Sequence, residues 1–110
     1  MVVVETRQFE RQAELLITPE EKHALIWFVG LHPESGDLIQ GTGGARKLRW
    51  ATGGHGKRGG VRLVYYFHSE AIPLFLFTVY KKGRKDDLTK VEEESLRKLI
   101  RTIRRELIRR

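Results

Sequence analysis

The sequence has no cysteine, only three prolines and no apolar run near the roughly 20 residues that a membrane-spanning helix needs. The absence of cysteine excludes a disulfide framework and cysteine metal ligands. The first ten residues show no basic flank, long apolar stretch or small-residue cleavage site, so no secretory signal is predicted. We therefore expect a cytoplasmic protein, and the length of 110 residues predicts one domain over residues 1–110.

Acidic side chains are missing from the middle of the chain, with none between Asp37 and Glu70. Residues 41–62 hold six Lys or Arg and no Asp or Glu, whereas residues 1–40 hold three basic and seven acidic residues. Residues 81–110 carry twelve basic and six acidic residues, and the net charge is +7. This distribution indicates a polyanionic partner, although basicity alone does not separate RNA, DNA and acidic protein.

Two helices are predicted in the first third of the chain, at residues 9–16 and 19–31. The second has a clear start signal, in which Thr18 caps the helix, Pro19 occupies its first turn and Glu21 completes a capping box. Six apolar residues in a row near its middle predict burial on more than one side. We expect both helices to cover a sheet.

A third helix is predicted near the end of the chain. Thr89 and Glu92 form a second capping box there. One apolar stripe runs along this helix and consists of Leu96, Leu99, Ile100, Ile103 and Leu107. For residues 101–110 the sequence leaves three alternatives open: Ile103 and Leu107 pack on the sheet, the arginines contact RNA, or the last turn frays.

Four segments predict strands, at residues 2–5, 46–51, 61–67 and 74–80. In the second segment Leu48 and Trp50 alternate with Lys47 and Arg49, so the basic face is expected to be exposed. The apolar run of the last segment predicts a central strand covered on both faces. The order β-α-α-β-β-β-α indicates an α+β fold, with an antiparallel central sheet, two N-terminal helices packed on it and a C-terminal helix.

The segment from Gly41 to Arg62 combines glycine with basic side chains. Eight of the eleven glycines lie between Gly41 and Gly60, so the backbone can approach a ligand closely and present N–H groups to phosphate. Glycines also make hairpin turns, and a basic strand face is often only a solvated surface. The coincidence with the acid-free stretch favours anion binding by Arg46, Lys47, Arg49, Lys57, Arg58 and Arg62.

Strand pairing predicts how the cations are grouped. The face that Lys47 and Arg49 share also receives Arg62 if the register allows, which puts three cations on one patch. Like charges repel unless a polyanion neutralises them, so a phosphate backbone in a groove accounts for such a patch. Three strand aromatics offer stacking surfaces for single-stranded bases, although such residues more often pack in a core. They are Trp50, Tyr65 and Tyr66.

The residue pattern contains neither a metal site nor a protein nucleophile. Four scattered histidines give no ligand spacing, and no Ser-His-Asp arrangement or nucleotide-binding glycine motif occurs, so no metal or cofactor is expected. RNA supplies its own nucleophile, because its 2′-hydroxyl attacks the adjacent phosphate once a base removes the proton and cations stabilise the charge. His55 is a candidate base, although a lone loop histidine is more often inert.

Three blocks of the sequence stand out, and they are IQGTGGARKLR at residues 39–49, GKRGGVRLVYYF at 56–67, and VYKK with the later DLT within 79–89. Together they resemble toxins of the RelE/ParE superfamily, specifically the HigB-type branch of type II toxin–antitoxin systems. The resemblance covers nearly the whole chain. It implies a RelE-like fold and a metal-independent endoribonuclease that cuts mRNA on the translating ribosome. It also implies inhibition by a HigA-like antitoxin, and contact with DNA only indirectly, through that antitoxin.

The resemblance also assigns roles to individual positions. The family's basic pair on the first central strand falls on Lys47 and Arg49, its arginine on the next strand on Arg62, and the basic residue after the last strand on Lys82. The expected contacts to ribosomal or messenger RNA are Arg46, His55, Lys57, Arg58 and Tyr66.

One position departs from the family pattern. The tyrosine that RelE itself uses for catalysis aligns with Leu88. The resemblance therefore leaves the identity of the proton-transfer group open. Either Tyr80 or Tyr66 takes the place of the family's tyrosine, or catalysis depends on the cations and on positioning of the RNA alone.

Two other functions fit part of the sequence. A ParE-like toxin would use the same scaffold to poison gyrase without cleaving RNA, and the dense basic strand face argues against it. A non-catalytic RNA-binding module would need only the +7 charge and the glycine-rich segment.

Overall fold

The computed structural model describes residues 1–52, 60–81 and 88–108. Its elements, in chain order, are β1 (Val3–Glu5), α1 (Arg7–Leu16), α2 (Pro19–Leu31), β2 (Asp37–Leu38), β3 (Ala45–Trp50), β4 (Val61–Tyr66), β5 (Leu74–Lys81) and α3 (Lys90–Leu107). They form an α+β fold around a five-stranded sheet of order β1-β5-β4-β3-β2. In the part of the chain described, no helix is both long and apolar enough to cross a membrane.

The sheet is mixed, so the prediction of an antiparallel sheet is correct for β2 to β5 and wrong for β1. Strands β2, β3, β4 and β5 pair with their neighbours in antiparallel fashion. Strand β1 pairs in parallel with the first residues of β5, with Val3 opposite Leu74. The two-residue strand β2 was not predicted, because a segment of that length has no alternation to detect.

Helices cover both faces of the sheet and create two cores. The α1–α2 side has a buried cluster with members from α1, α2 and the three central strands: Phe9, Ala13, Ile17, Leu25, Val29, Leu48, Val61, Leu63, Tyr65, Leu74, Leu76 and Val79. The α3 side has a smaller cluster: Ala45, Val64, Tyr66, Phe77, Tyr80, Ile100 and Ile103. The sheet is thus the middle of three layers, which is why β4 and β5 are apolar on both faces.

The predicted starts of α2 and α3 are confirmed, whereas α1 begins two residues before the predicted Phe9, with Thr6 as its N-cap. At α2 the Glu21 N–H donates to Thr18 Oγ1 at 3.1 Å, and the Thr18 N–H donates to Glu21 Oε1 at 2.9 Å. Thr89 and Glu92 form the same reciprocal pair at α3, with distances of 2.8 and 3.1 Å. These bonds satisfy N–H groups that have no partner within the helix, and so they fix where each helix begins.

The prediction that α2 is buried on more than one side is wrong, and the apolar stripe of α3 is only partly buried. Helix α2 buries Leu25 and Val29, but Trp27 is 67% exposed, so this helix packs on one side only. On α3 the stripe buries Ile100 and Ile103 and leaves Leu99 and Leu107 more than two-fifths exposed. Both helices are outer layers, and an outer helix places a single face against the sheet.

A β-bulge in β5 explains why its apolar residues break strict alternation. The register with β4 shifts between Val64 and Tyr65, which face Thr78 and Leu76, so Phe77 is the additional residue. Beyond it, Val79 joins Leu76 on the α1–α2 side despite a spacing of three.

Tyr65 and Arg46 hold the loop between α2 and β2 against the sheet. The Tyr65 hydroxyl donates to the Pro33 carbonyl at 2.8 Å and accepts from the Gly36 N–H at 2.9 Å. Arg46, directly opposite Tyr65 in the β3–β4 register, donates from Nη1 to the Gly36 carbonyl at 2.7 Å. These contacts satisfy loop backbone groups that would otherwise be buried without partners.

Replacing Tyr65 with phenylalanine is expected to lower the free energy of unfolding by about 1–3 kcal/mol. The ring keeps its packing, but the Gly36 N–H loses its acceptor and the Pro33 carbonyl its donor. Chemical denaturation at neutral pH measures the change. An unaltered free energy of unfolding would show that the loop finds equivalent partners elsewhere.

The same hydroxyl makes stability depend on alkaline pH. Burial raises the pKa of Tyr65 above its ordinary value, and the hydrogen bond from Gly36 offsets this only in part. Above about pH 10 the unfolded tyrosine ionises while the folded one keeps its proton, so the free energy of unfolding falls as pH rises. We expect the stability difference between the protein and Tyr65→Phe to shrink there, and a constant difference would contradict this.

Candidate functional site

The β3–β4 register brings together Lys47, Arg49 and Arg62, which we call the basic cluster. Arg49 lies directly opposite Arg62, and Lys47 lies opposite Val64. Residues opposite each other in an antiparallel pair share a face, and Lys47 is two residues from Arg49 on the same strand. The predicted grouping of the three cations on one face is confirmed.

The basic cluster lies where the α3 side of the sheet opens to solvent. Along β3 this face runs from Ala45, which is fully buried, through the half-buried Lys47 to the exposed Arg49. Helix α3 covers the Ala45 end, where its Arg104 donates to the Tyr66 hydroxyl at 3.3 Å. The opposite end holds Arg49 and the half-buried Arg62. This face of the sheet is therefore packed against α3 at one end and presents solvent-accessible cations at the other.

The electrostatics of this end are unfavourable for the isolated protein. Like charges directly opposite on neighbouring strands destabilise a sheet. Among the described residues, no carboxylate forms an ion pair with Arg49 or Arg62. The repulsion between the two guanidinium groups is relieved when an anion binds between them, and their planar donor groups suit phosphate oxygens.

Tyr80 extends the row onto the third strand. It lies directly opposite Arg62 in the β4–β5 register, so Arg49, Arg62 and Tyr80 follow one another across β3, β4 and β5. Its side chain belongs to the α3-side cluster and is 9% exposed. The register thus places Tyr80, one of the two candidate tyrosines, next to Arg62.

Other residues expected to bind RNA are not in this row. Arg46 is on the opposite face, where its guanidinium donates to the backbone carbonyls of Glu34 and Gly36. Tyr66 is 2% exposed beneath α3, which leaves no ring face open to a base. Tyr65 is buried in the α1–α2 core, and Trp50 packs there against Phe28 with ring centroids 5.4 Å apart.

Four expected site residues lie outside the described residues. They are His55, Lys57, Arg58 and Lys82.

The first glycines of the Gly41 to Arg62 segment serve a turn that packs under α3. Gly41, Gly43 and Gly44 have φ values of 84°, 85° and 129°, which side chains other than glycine rarely adopt. A Cβ at Gly44 would be 3.1 Å from the Tyr66 ring. These glycines therefore set the entry into β3 and lie at the covered end of the face, away from Arg49.

The structure adds one residue that the sequence did not mark. Thr78 lies opposite Val64, two register positions from the pair of Arg62 and Tyr80, and its hydroxyl accepts from Gln8 Nε2 at 3.3 Å. A threonine inside an apolar strand gives no functional signal in the sequence. The described residues contain no group of three or more His, Asp or Glu side chains placed to hold a metal ion.

No protein-family model matches this sequence. The features of the chain that bear on function are the basic cluster and the three sequence blocks at residues 39–49, 56–67 and 79–89.

Proposed function

We propose that this protein is the toxin of a type II toxin–antitoxin pair and acts as a metal-independent, ribosome-dependent mRNA endoribonuclease of the RelE-like, HigB-type class. The observation that supports it is the placement of Arg49 directly opposite Arg62, with Tyr80 next in the same row. Two exposed or half-exposed arginines facing each other are costly without an anion and well suited to one.

The proposed reaction is a transesterification within the RNA. The 2′-oxygen attacks the adjacent phosphorus, the bond from phosphorus to the 5′-oxygen breaks, and the products end in a 2′,3′-cyclic phosphate and a 5′-hydroxyl. Arg49 and Arg62 stabilise the negative charge that develops on the phosphoryl oxygens. Lys47 neutralises the neighbouring phosphate, because it is the third member of the basic cluster.

Two proton transfers complete the reaction. One proton leaves the 2′-hydroxyl and another reaches the departing 5′-oxygen. Tyr80 is the candidate group for proton transfer, because its strand position puts it beside Arg62. Ribosomal and messenger RNA are the proposed partners in cleavage, and a HigA-like antitoxin is the proposed inhibitor.

Cleavage of a defined mRNA with and without translating ribosomes tests this function. We expect cuts within the coding region only when ribosomes are present, with 5′-hydroxyl ends on the downstream fragments. Arg11→Ala is a matched control for Arg49→Ala, because both remove one exposed positive charge and Arg11 lies on α1, across the sheet.

The possible outcomes separate the alternatives. Intact mRNA in both reactions, with RNA binding that Arg49→Ala weakens, would favour a non-catalytic RNA-binding module. Intact mRNA together with gyrase-dependent DNA breaks would favour a ParE-like toxin. Cleavage without ribosomes would retain the ribonuclease but overturn its dependence on translation.

A further inference from the structure

In the part of the chain that the structure describes, no strand covers the outer edge of the second half of β5. Strand β1 pairs only with the first three residues of β5, and Thr6 closes the next position by donating from Oγ1 to the Phe77 carbonyl at 3.0 Å. From Thr78 to Lys81, no described strand pairs with this edge. An uncovered edge presents backbone donors and acceptors to solvent and is a template for another strand.

Two helices stand on either side of this edge and make it the floor of a groove. Residues Gln8, Gln12, Leu15 and Leu16 of α1 form one wall, and residues Val91, Glu92, Ser95 and Leu99 of α3 form the other. The groove consists of two adjoining cavities of about 620 and 300 Å³, which share Gln8, Thr78 and Glu92. We call it the β5 edge groove.

We infer that the β5 edge groove binds an extended segment of another protein, which adds a strand to β5 and has a short apolar centre with acidic residues at its ends. Addition of a strand to an exposed edge between flanking walls is an established mode of peptide recognition, in which backbone hydrogen bonds supply affinity and wall contacts supply specificity.

The chemistry of the walls favours a polypeptide. Leu15 is 77% exposed and Val91 is 74% exposed, one on each wall, although both are apolar. Successive side chains of an added strand point to opposite faces of the sheet, so they meet the α1 wall and the α3 wall in turn. A nucleic acid would instead need cations along the groove, and Lys81 is the one basic residue among its described lining residues.

Charge complementarity favours acidic ends. Lys81 marks one end of the groove, and the exposed Lys98 is adjacent in sequence to Leu99, which lines the other end. The one carboxylate among the described lining residues between these ends belongs to Glu92, and it accepts a hydrogen bond from the Thr89 N–H in the capping box. The net charge of +7 further attracts an acidic segment over a distance.

The inference is tested by selecting peptides that bind the full chain from a display library of random decapeptides. This experiment uses no RNA and no ribosomes, so its result does not depend on whether the protein cleaves mRNA. We expect enriched peptides with a short apolar centre and Asp or Glu at the ends. In the complex with one such peptide, those amide hydrogens from Thr78 to Lys81 that point away from β4 should gain protection from exchange, because β-strand addition engages this edge.

Variants of the walls provide the matched comparison. Leu15→Glu and Val91→Glu should each weaken peptide binding by roughly tenfold or more, because an acidic side chain replaces apolar surface that the peptide buries. Leu31→Glu is the control, since Leu31 is also an exposed leucine but lies on α2, outside the groove. All three positions are exposed, so the fold should tolerate the changes.

Three results would overturn the inference. The first is no enrichment, or enriched peptides with helical spacing of apolar residues. The second is binding that neither wall variant weakens and that leaves the β5 amides unprotected. The third is a dimer of the chain alone that Leu15→Glu dissociates, which would assign the edge to a second copy.

Discussion

Replacing Arg62 with alanine is expected to lower the rate of ribosome-dependent mRNA cleavage by about 10²–10³-fold. Arg62 is the middle member of its row, with Arg49 on one side and Tyr80 on the other. Arg62 is therefore the direct strand neighbour of both residues proposed to act on the phosphate. Single-turnover cleavage of a defined mRNA on purified ribosomes measures the loss.

The same substitution should leave the free energy of unfolding unchanged or raise it by about 0.2–1 kcal/mol. Arg62 is only half-buried, and among the described residues no carboxylate pairs with it. Its removal relieves the repulsion with Arg49. Lost activity with equal or greater stability distinguishes a residue that acts on the substrate from one that supports the fold.

Two further variants complete this test. Arg62→Lys keeps the charge but loses the planar pair of donors, so we expect activity between those of the protein and Arg62→Ala. Arg11→Ala removes a charge on the far side of the sheet and should cleave normally. Full activity of Arg62→Ala, or an unfolded variant by circular dichroism, would contradict the proposed role.

The parts of the fold that local chemistry determines were predictable from the sequence. The capping residues Thr18 and Thr89 fixed the starts of α2 and α3, because a hydroxyl and a carboxylate three residues apart satisfy specific N–H groups. Alternation along β3 separated Lys47 and Arg49 from Leu48. Whether Arg62 joins their face depended on the hairpin register, which the sequence left open and which places Arg62 opposite Arg49.

The parts that depend on distant contacts were not predictable. The parallel pairing of β1 with β5 joins residues about 70 positions apart, and nothing in the three residues of β1 indicates its partner. The β5 edge groove depends on this pairing, because β1 ends early and positions α1 beside the open edge. Its residues Gln8, Gln12 and Glu92 have no common sequence signal.

Arg46 shows why composition overestimates a binding surface. It belongs to the acid-free basic segment and neighbours Lys47, yet strand alternation points it to the other face. There it meets Tyr65 and the loop carbonyls of Glu34 and Gly36. A basic residue was expected to contact RNA, and its described partners are backbone oxygens of the protein.

Replacing Gly36 with alanine is expected to lower the free energy of unfolding by about 2–5 kcal/mol. A Cβ at this position would be 2.9 Å from both Cε1 and the hydroxyl oxygen of Tyr65, and 3.0 Å from the Lys47 carbonyl oxygen. The Tyr65 ring is fully buried and the carbonyl belongs to β3, so neither can move aside easily. Chemical denaturation measures the loss.

The displacement should also reach the basic cluster. Gly36 is followed at once by β2, in which Asp37 is paired with Lys47 of β3. A shift of the Lys47 backbone moves a member of the cluster, so folded Gly36→Ala protein should cleave mRNA more slowly than the protein itself. Gly30→Ala is the control, because a Cβ there meets only one atom, at 4.0 Å. Unchanged activity of folded Gly36→Ala would show that β3 absorbs the shift.

A double-mutant cycle with Tyr65→Phe tests whether the steric contact is the cause. One of the two Tyr65 atoms in contact with the new methyl is the hydroxyl oxygen, which phenylalanine lacks. Both single variants also disturb the same hydrogen bond, from the Gly36 N–H to Tyr65. Their costs should therefore overlap, and the double variant should be more stable than additivity predicts by about 0.5–3 kcal/mol. Strict additivity of the two free-energy changes would mean that the methyl group added at Gly36 makes no steric contact with the Tyr65 hydroxyl.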